Sequence, residues 1–142
     1  MPAPPLRLLV VEDNPLDIRL LQEGFREAGL APDLLTAMDV DAAWAVLEKG
    51  RTKPKSRPEA ILLDLNLPGQ SGHDLLRRLG TDAEFRALPV VVLTSSNHPD
   101  DIERARHGHA SAYFLKPLTM AGYLALARDL HQLLVSPARA NA

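Results

Sequence analysis

Asp64 closes an apolar run, Ala60-Ile61-Leu62-Leu63, and opens the stretch Leu65-Asn66-Leu67-Pro68-Gly69. A buried strand would deliver that carboxylate to the mouth of a sheet, neither buried nor freely solvated. Glu12 and Asp13 follow the apolar run Leu6 to Val11 in the same way. Three carboxylates gathered at one sheet edge repel one another and need a counter-charge. A hard divalent cation such as Mg2+, which takes oxygen ligands and keeps several waters, is the natural one. Asp13 and Asp64 would ligate it directly and Glu12 directly or through water, with the backbone carbonyl of Asn66 completing the protein share. A metal-bound carboxylate is a nucleophile towards phosphorus, and phosphoryl transfer asks the protein mainly for positioning and charge neutralisation. Thr94, ending the run from Pro89, offers a hydroxyl, and Lys116, after the run Ser111 to Leu115, offers an ammonium ion. Taken singly each residue has a bland reading. Acids commonly sit near helix starts, a threonine at a strand end is usually a turn residue, and an isolated lysine is usually solvated. Their significance depends on whether the fold brings them together.

Five short apolar runs position these residues: Leu6 to Val11, Asp33 to Ala37, Ala60 to Asp64, Pro89 to Thr94 and Ser111 to Leu115. The first, third and fourth lack alternation, as strands covered on both faces do. Amphipathic segments lie between them. Asn14-Pro15-Leu16-Asp17 supplies an N-cap, a proline at the first helical position and an acid in the first turn. Ile18, Leu21, Phe25 and Ala28 follow at helical spacing, with Gly29 as the stop. A second helix runs from about Val40 to Lys49, ends at Gly50 and buries Ala43, Val46 and Leu47. A third carries Leu75, Leu76 and Leu79. The fourth, near Pro99 to His107, is short and polar, with Ile102 and Ala105 facing inward. The fifth begins at a Thr119 cap and presents Tyr123, Leu124, Ala127, Leu130 and Leu134. Strand–helix alternation five times over predicts an α/β fold, a flavodoxin-like doubly wound (βα)5 sandwich on a parallel five-stranded sheet of order 2-1-3-4-5. The switch point then falls between strands 1 and 3, where Glu12, Asp13 and Asp64 lie. One domain is expected over residues 6–135, with a lead-in at 1–5 and a frayed tail at 136–142.

Composition narrows the class without naming a function. The chain has 142 residues, 46% hydrophobic and 24% charged, as in an ordinary globular protein that buries a real core. A net charge of −2 gives no electrostatic case for nucleic acid. The absence of cysteine excludes disulfides and thiolate metal sites and suits a reducing compartment. No apolar stretch approaches the roughly 20 residues that span a bilayer, and Met1-Pro2-Ala3-Pro4-Pro5 lacks the layout of a signal peptide. A cytoplasmic protein with no membrane partner is expected.

Glu12-Asp13, Asp64, Thr94 and Lys116-Pro117, in this order on successive strands, resemble the CheY-like receiver domain of two-component response regulators, over residues 6–135. Val10-Val11-Glu12-Asp13-Asn14-Pro15-Leu16-Asp17, the proline-bearing insert before the third strand, and Leu63-Asp64-Leu65-Asn66-Leu67-Pro68 look most like the single-domain subgroup that serves bacterial phytochromes. The resemblance implies that Asp64 accepts a phosphoryl group from a phosphohistidine on a sensor histidine kinase. It implies that Glu12, Asp13 and the Asn66 carbonyl hold Mg2+, and that Thr94 and Lys116 bind the phosphoryl oxygens. It also implies slow loss of the acyl phosphate, no other enzymatic activity, and a cis Lys116–Pro117 bond. Glu12 stands where many receivers carry aspartate. Tyr113 occupies the family's switch position: phosphorylation adds charge at Asp64, draws Thr94 inward, and lets Tyr113 rotate into the vacated space. Period-two counting from Phe114 puts Tyr113 on the opposite sheet face, which also suits an ordinary half-buried tyrosine.

Output is expected through contact with a downstream protein that the sequence does not identify, since the chain ends with the fifth helix and leaves no room for a DNA-binding module. Leu126, Leu133 and Met120 lie off the main stripe of that helix and suggest a homodimer through the face of helix 4, strand 5 and helix 5. A wide core-facing stripe accounts for them equally well. The rivals are a phosphatase working through an aspartyl phosphate on a related scaffold, and an unphosphorylated binding module. Asn66 argues against the first, because it cannot serve as the general acid, and the intact acid set argues against the second. The basic segment Arg51 to Pro58 reads as a solvated loop, His73 as a solvent-facing loop residue, and Trp44 as a partly buried helix-face residue.

Overall fold

The structure, a computed structural model, describes residues 5–135. The expected lead-in and tail lie outside the described residues, apart from Pro5. The element order is β1 (Arg7–Val11), α1 (Pro15–Glu27), β2 (Asp33–Ala37), α2 (Val40–Thr52), a 3-10 turn (Pro54–Ser56), β3 (Ala60–Leu63), α3 (Gly72–Gly80), β4 (Val90–Thr94), α4 (Pro99–His107), β5 (Ala112–Leu115) and α5 (Met120–Val135). The sheet order is β2-β1-β3-β4-β5, as the alternation predicts, with β1–β3, β3–β4 and β4–β5 paired in parallel. The chain forms two compact units, one of Arg7–Asp13 with Leu34–Lys116 and one built on Asn14–Asp33 with the segment from Pro117 onward.

The first unit holds the sheet and the helices α2, α3 and α4. Every residue of β3 and β4 is buried, and so are Leu8 to Val11 of β1. Burial on both faces is why these runs show no alternation. β2 and β5, at the sheet edges, are partly exposed. One core cluster gathers Leu9, Val11, Ile61, Leu63 and Val92 from the sheet with Ala43 and Leu47 of α2 and Leu75, Leu76 and Leu79 of α3. Ten or so fully buried aliphatic side chains contribute about 1.5–3 kcal/mol each before entropy is counted. That rigidity fixes where the strand ends point.

Helix bounds depart from expectation where backbone meets backbone. α2 continues through Gly50 to Thr52, because Gly50 is buried against the returning insert, where a Cβ would lie 3.0 Å from the Arg57 Cα. The glycine is a packing residue here, not a stop. In α4 only Ala105 is buried, and Ile102 is 40% exposed.

In the second unit α1 packs on α5. Asn14 Oδ1 accepts the Leu16 N–H at 3.0 Å, Pro15 opens the helix, and Gly29 follows its end at φ 73°, a left-handed conformation that suits glycine. A Cβ at Gly24 would lie 2.5 Å from the Tyr123 carbonyl oxygen, so glycine permits the close approach of the two helices. The Thr119 hydroxyl accepts the Gly122 N–H at 3.0 Å and caps α5. Leu126 is 5% exposed, which removes it from the apolar surplus expected at a dimer face, whereas Met120 and Leu133 remain exposed. At this turn of the helix the inward stripe is wide enough to take in both Leu126 and Ala127.

Candidate phosphoryl and metal site

Asp64 follows β3, and its N–H donates to the Val11 carbonyl at 3.0 Å, which continues the β1–β3 pairing by one step. The Glu12 N–H donates to the Ala37 carbonyl at 2.9 Å, so that residue is fixed by the sheet as well. The Lys116 N–H donates to the Thr94 carbonyl at 2.8 Å. Backbone pairing beyond the last strand residues therefore holds the site, and the side chains are aimed by rigid elements.

The side chains converge. Thr94, fully buried, donates its hydroxyl to Asp64 Oδ1 at 2.8 Å. The Asn66 N–H donates to the same oxygen at 3.1 Å. Lys116 Nζ lies 2.8 Å from Asp64 Oδ2 and 2.7 Å from Glu12 Oε1. Glu12 and Asp64 are 4% and 5% exposed, and a paired ammonium ion is what makes two such carboxylates tolerable below the surface. Glu12, Asp13 and Asp64 each offer an oxygen within 4.8 Å of the others. That all-oxygen set is of the kind a hard divalent cation takes. The structure thus brings together Glu12, Asp13, Asp64, Thr94 and Lys116. Asn66 is exposed, and its contact with Asp64 is through the N–H.

No peptide bond among the described residues is cis, so the Lys116–Pro117 bond is trans, against the expectation carried by the family pattern. β4–β5 pairing aims the lysine without it. Tyr113 pairs with Val92 in register, packs on the core cluster half-buried, and donates its hydroxyl to the Ser96 carbonyl at 2.7 Å. Burial raises its pKa above 10.0 and outweighs the opposing effect of that hydrogen bond. Both expected switch residues already point inward in this structure.

Two sequence readings need correction. His73 is not a solvent-facing loop residue: α3 starts at Gly72, where Asp74 reaches back to accept the Ser71 N–H at 3.0 Å. His73 therefore lies in the first turn, 8% exposed, with Nε2 3.1 Å from Asp101 Oδ1. The insert is not a loose solvated loop either. Arg57 bonds the Gly50 and Arg51 carbonyls and Glu84, and Arg51 bonds Asp82 and stacks 4.3 Å over the Phe85 ring. Lys53 and Lys55 alone of its four cations stay exposed. Trp44 is half-buried, as expected, edge-on to Phe85 with Arg78 4.2 Å above it. Sequence reasoning missed Ser96 and Asp101. Their only signals were a hydroxyl two residues after Thr94 and an acid in the first turn of α4.

The model of the response regulator receiver domain matches residues 8–128. Response regulator Rcp1 of Synechocystis is 37% identical over 114 residues, 80% of this chain and 78% of that protein. The probable methanogenesis regulatory protein FilR2 of Methanothrix harundinacea is 36% identical over 115 residues, 81% of this chain and 74% of that one. Among solved structures, the phosphorylated cyanobacterial phytochrome response regulator RcpA aligns with a TM-score of 0.83 at 32% identity, over 94% of this chain and 96% of RcpA. The Mn2+-bound form of Rcp1 gives 0.80 at 31%, over 93% and 96%. With the strand order, the converging site and this agreement over most of its length, the chain belongs to the response regulator receiver domain family.

Proposed function

We propose that Asp64 is the phosphoacceptor of this receiver and takes its phosphoryl group from a phosphohistidine on a sensor histidine kinase. The observation that carries the reading is convergence on one carboxylate: the Thr94 hydroxyl and the Lys116 ammonium each lie 2.8 Å from it, one on each oxygen. An oxygen of Asp64 forms the new bond to phosphorus while the histidine N–P bond breaks and its electron pair stays on the imidazole. Thr94 and Lys116 then hold two of the transferred oxygens, a preorganised donor and a fixed charge where charge accumulates. Glu12, Asp13, Asp64 and the Asn66 carbonyl would hold Mg2+. When bound, that ion supplies charge neutralisation at the phosphoryl oxygens.

Asn66 offers no general acid, so hydrolysis of the acyl phosphate is slow and the protein signals without turning over a substrate. Tyr113 and Thr94 serve as the switch pair. Output runs through a downstream protein in the cytoplasm, with no DNA or membrane partner, from a receiver domain of residues 6–135. A homodimer through helix 4, strand 5 and helix 5 is the proposed assembly; Ile102 and Leu115 are exposed in one unit, and Met120 and Leu133 in the other. Similarity to the cyanobacterial phytochrome response regulator RcpA, at 32% identity, supports a bacterial phytochrome as the kinase, whereas FilR2, at 36%, is named for methanogenesis.

The test is incubation with acetyl phosphate and Mg2+, followed by intact mass. One phosphoryl group per chain is expected, and none in Asp64→Asn. An unmodified wild type would favour a binding module, and rapid turnover of varied phosphomonoesters would favour a phosphatase. Phosphotransfer profiling against the host's histidine kinases tests the phytochrome assignment, which fails if another kinase is preferred.

A further inference from the structure

Beyond the Asp64 site lies a second set of polar contacts, part-buried, that no step above uses. The Ser96 hydroxyl donates to Asp101 Oδ2 at 2.5 Å. The other oxygen of Asp101 faces His73 Nε2 at 3.1 Å. His73 comes from α3, Asp101 from α4 and Ser96 from the loop after β4, so one carboxylate ties three segments together. The Asp101 pKa is lowered from its ordinary value, first by the Ser96 hydroxyl and then by His73.

Ser96 also contacts both inward-pointing residues, Tyr113 and Thr94. Its carbonyl accepts the Tyr113 hydroxyl at 2.7 Å. Its N–H lies 3.5 Å from Thr94 Oγ1, a long contact, and a single residue, Ser95, separates it from Thr94. The short loop between a buried strand and a helix is thus tied to α4 through the Ser96 side chain and to β5 through the Ser96 carbonyl.

We propose that Asp101, braced by His73, is a positioning residue for the Asp64 site: by clamping Ser96 it holds Thr94 aimed at Asp64 and Tyr113 turned inward. This deepens the phosphoacceptor reading and rests on it. The clamp lowers the cost of ordering the loop when a phosphoryl group arrives, because Thr94 and Tyr113 are already placed. It also couples occupancy of the site to the position of α4, since displacement of either end strains the same hydrogen bonds.

The experiment compares wild type, Asp101→Ala, Asp101→Asn and Ser96→Ala in two measurements. Beryllofluoride with Mg2+ is titrated as a phosphoryl mimic, and the Tyr113 ring resonances are followed by NMR in the untreated protein. Loss of one such hydrogen bond corresponds to about a threefold to tenfold weaker affinity, expected in Asp101→Ala and Ser96→Ala. Asp101→Asn, whose amide oxygen can still accept the Ser96 hydroxyl, should stay within about twofold of wild type, because that hydrogen bond is kept. The Tyr113 resonances should shift in the two alanine variants and be restored in Asp101→Asn. Unchanged affinity and unchanged Tyr113 signals in both alanine variants would overturn the proposal, as would equal losses in Asp101→Ala and Asp101→Asn. The Tyr113 measurement needs no phosphoryl chemistry, so a wild type that binds no beryllofluoride sinks the phosphoacceptor reading and leaves the clamp to be judged on NMR. Ser96→Ala removes a single oxygen and keeps the test open if Asp101→Ala fails to fold.

Discussion

Gly72 stands against the backbone of Asp64: a Cβ at residue 72 would lie 2.5 Å from the Asp64 carbonyl oxygen and 2.8 Å from the Leu65 Cα. The Gly72 N–H donates to the Leu65 carbonyl at 3.0 Å, so the start of α3 presses on the strand end that carries the site carboxylate. Backbone cannot give way as a flexible side chain can. Gly72→Ala should therefore cost roughly 1–3 kcal/mol of stability, the usual range for overpacking, and should also weaken beryllofluoride binding by moving Asp64. Urea unfolding and a beryllofluoride titration measure the two effects. A variant as stable as wild type would show that the contact relaxes freely.

Lys116 is the second pressure point. Its ammonium balances Glu12 and Asp64, all three nearly out of solvent. Lys116→Ala leaves two buried carboxylates without their cation and should destabilise the protein by about 3–5 kcal/mol. Mg2+ should then raise the melting temperature of the variant more than that of wild type, because the ion replaces a missing counter-charge and stabilises by mass action. Equal Mg2+ shifts in both proteins would mean that the acids are not the ion's site.

The insert makes a separate prediction about stability alone. Arg51 reaches Asp82 at 2.5 Å and Arg57 reaches Glu84 at 2.8 Å, and Arg51 also covers the Phe85 face. Arg51→Ala should lower stability by more than the loss of an exposed ion pair alone, because it removes packing on an aromatic ring as well as charge. Part of that cost should persist at 1 M salt, where the Debye length is about 3 Å and exposed pairs are screened. Phosphorylation should be unaffected. A loss that vanishes in high salt would mean that charge was the whole effect.

How much of this was legible in the sequence follows from which forces act locally. Unbroken apolar runs marked β1, β3 and β4 and with them Glu12, Asp13, Asp64 and Thr94, since two-sided burial leaves a signature in every residue of a strand, while strand–helix alternation supplied the strand order and the place of Lys116. Gly50 and His73 were misread because their roles depend on what arrives from elsewhere: the Arg57 backbone in one case, Asp101 in the other. For Leu126 the dimer face and a wide core-facing stripe fit the sequence equally, and its burial decides for the stripe. Ser96 and Asp101 carry no local pattern; only the fold makes a loop hydroxyl and a helix-start acid into neighbours. The trans Lys116–Pro117 bond shows the opposite limit, where a family habit was not needed because strand pairing already aims the lysine.

Asp101 supplies the acid-stability prediction. Its folded pKa lies below the 3.8 expected of an unpaired aspartate, because the ionised form accepts the Ser96 hydroxyl first and faces His73 second. A carboxylate with a depressed folded value contributes stability that is fully present above its unfolded value and is lost as pH falls through the folded one. Wild type should therefore exceed Asp101→Asn in urea midpoint at pH 5, with the gap closing as pH falls below the unfolded value of about 3.8. Asp74 and Asp82 are also held low, by a backbone N–H and Arg77 in one case and by Arg51 in the other, yet both are common to the two proteins and cancel in the difference. A gap that stays the same down to pH 3 would place the effect of the substitution in packing rather than in the ionised hydrogen bonds, and a gap that widens in acid would reverse the sign of the linkage.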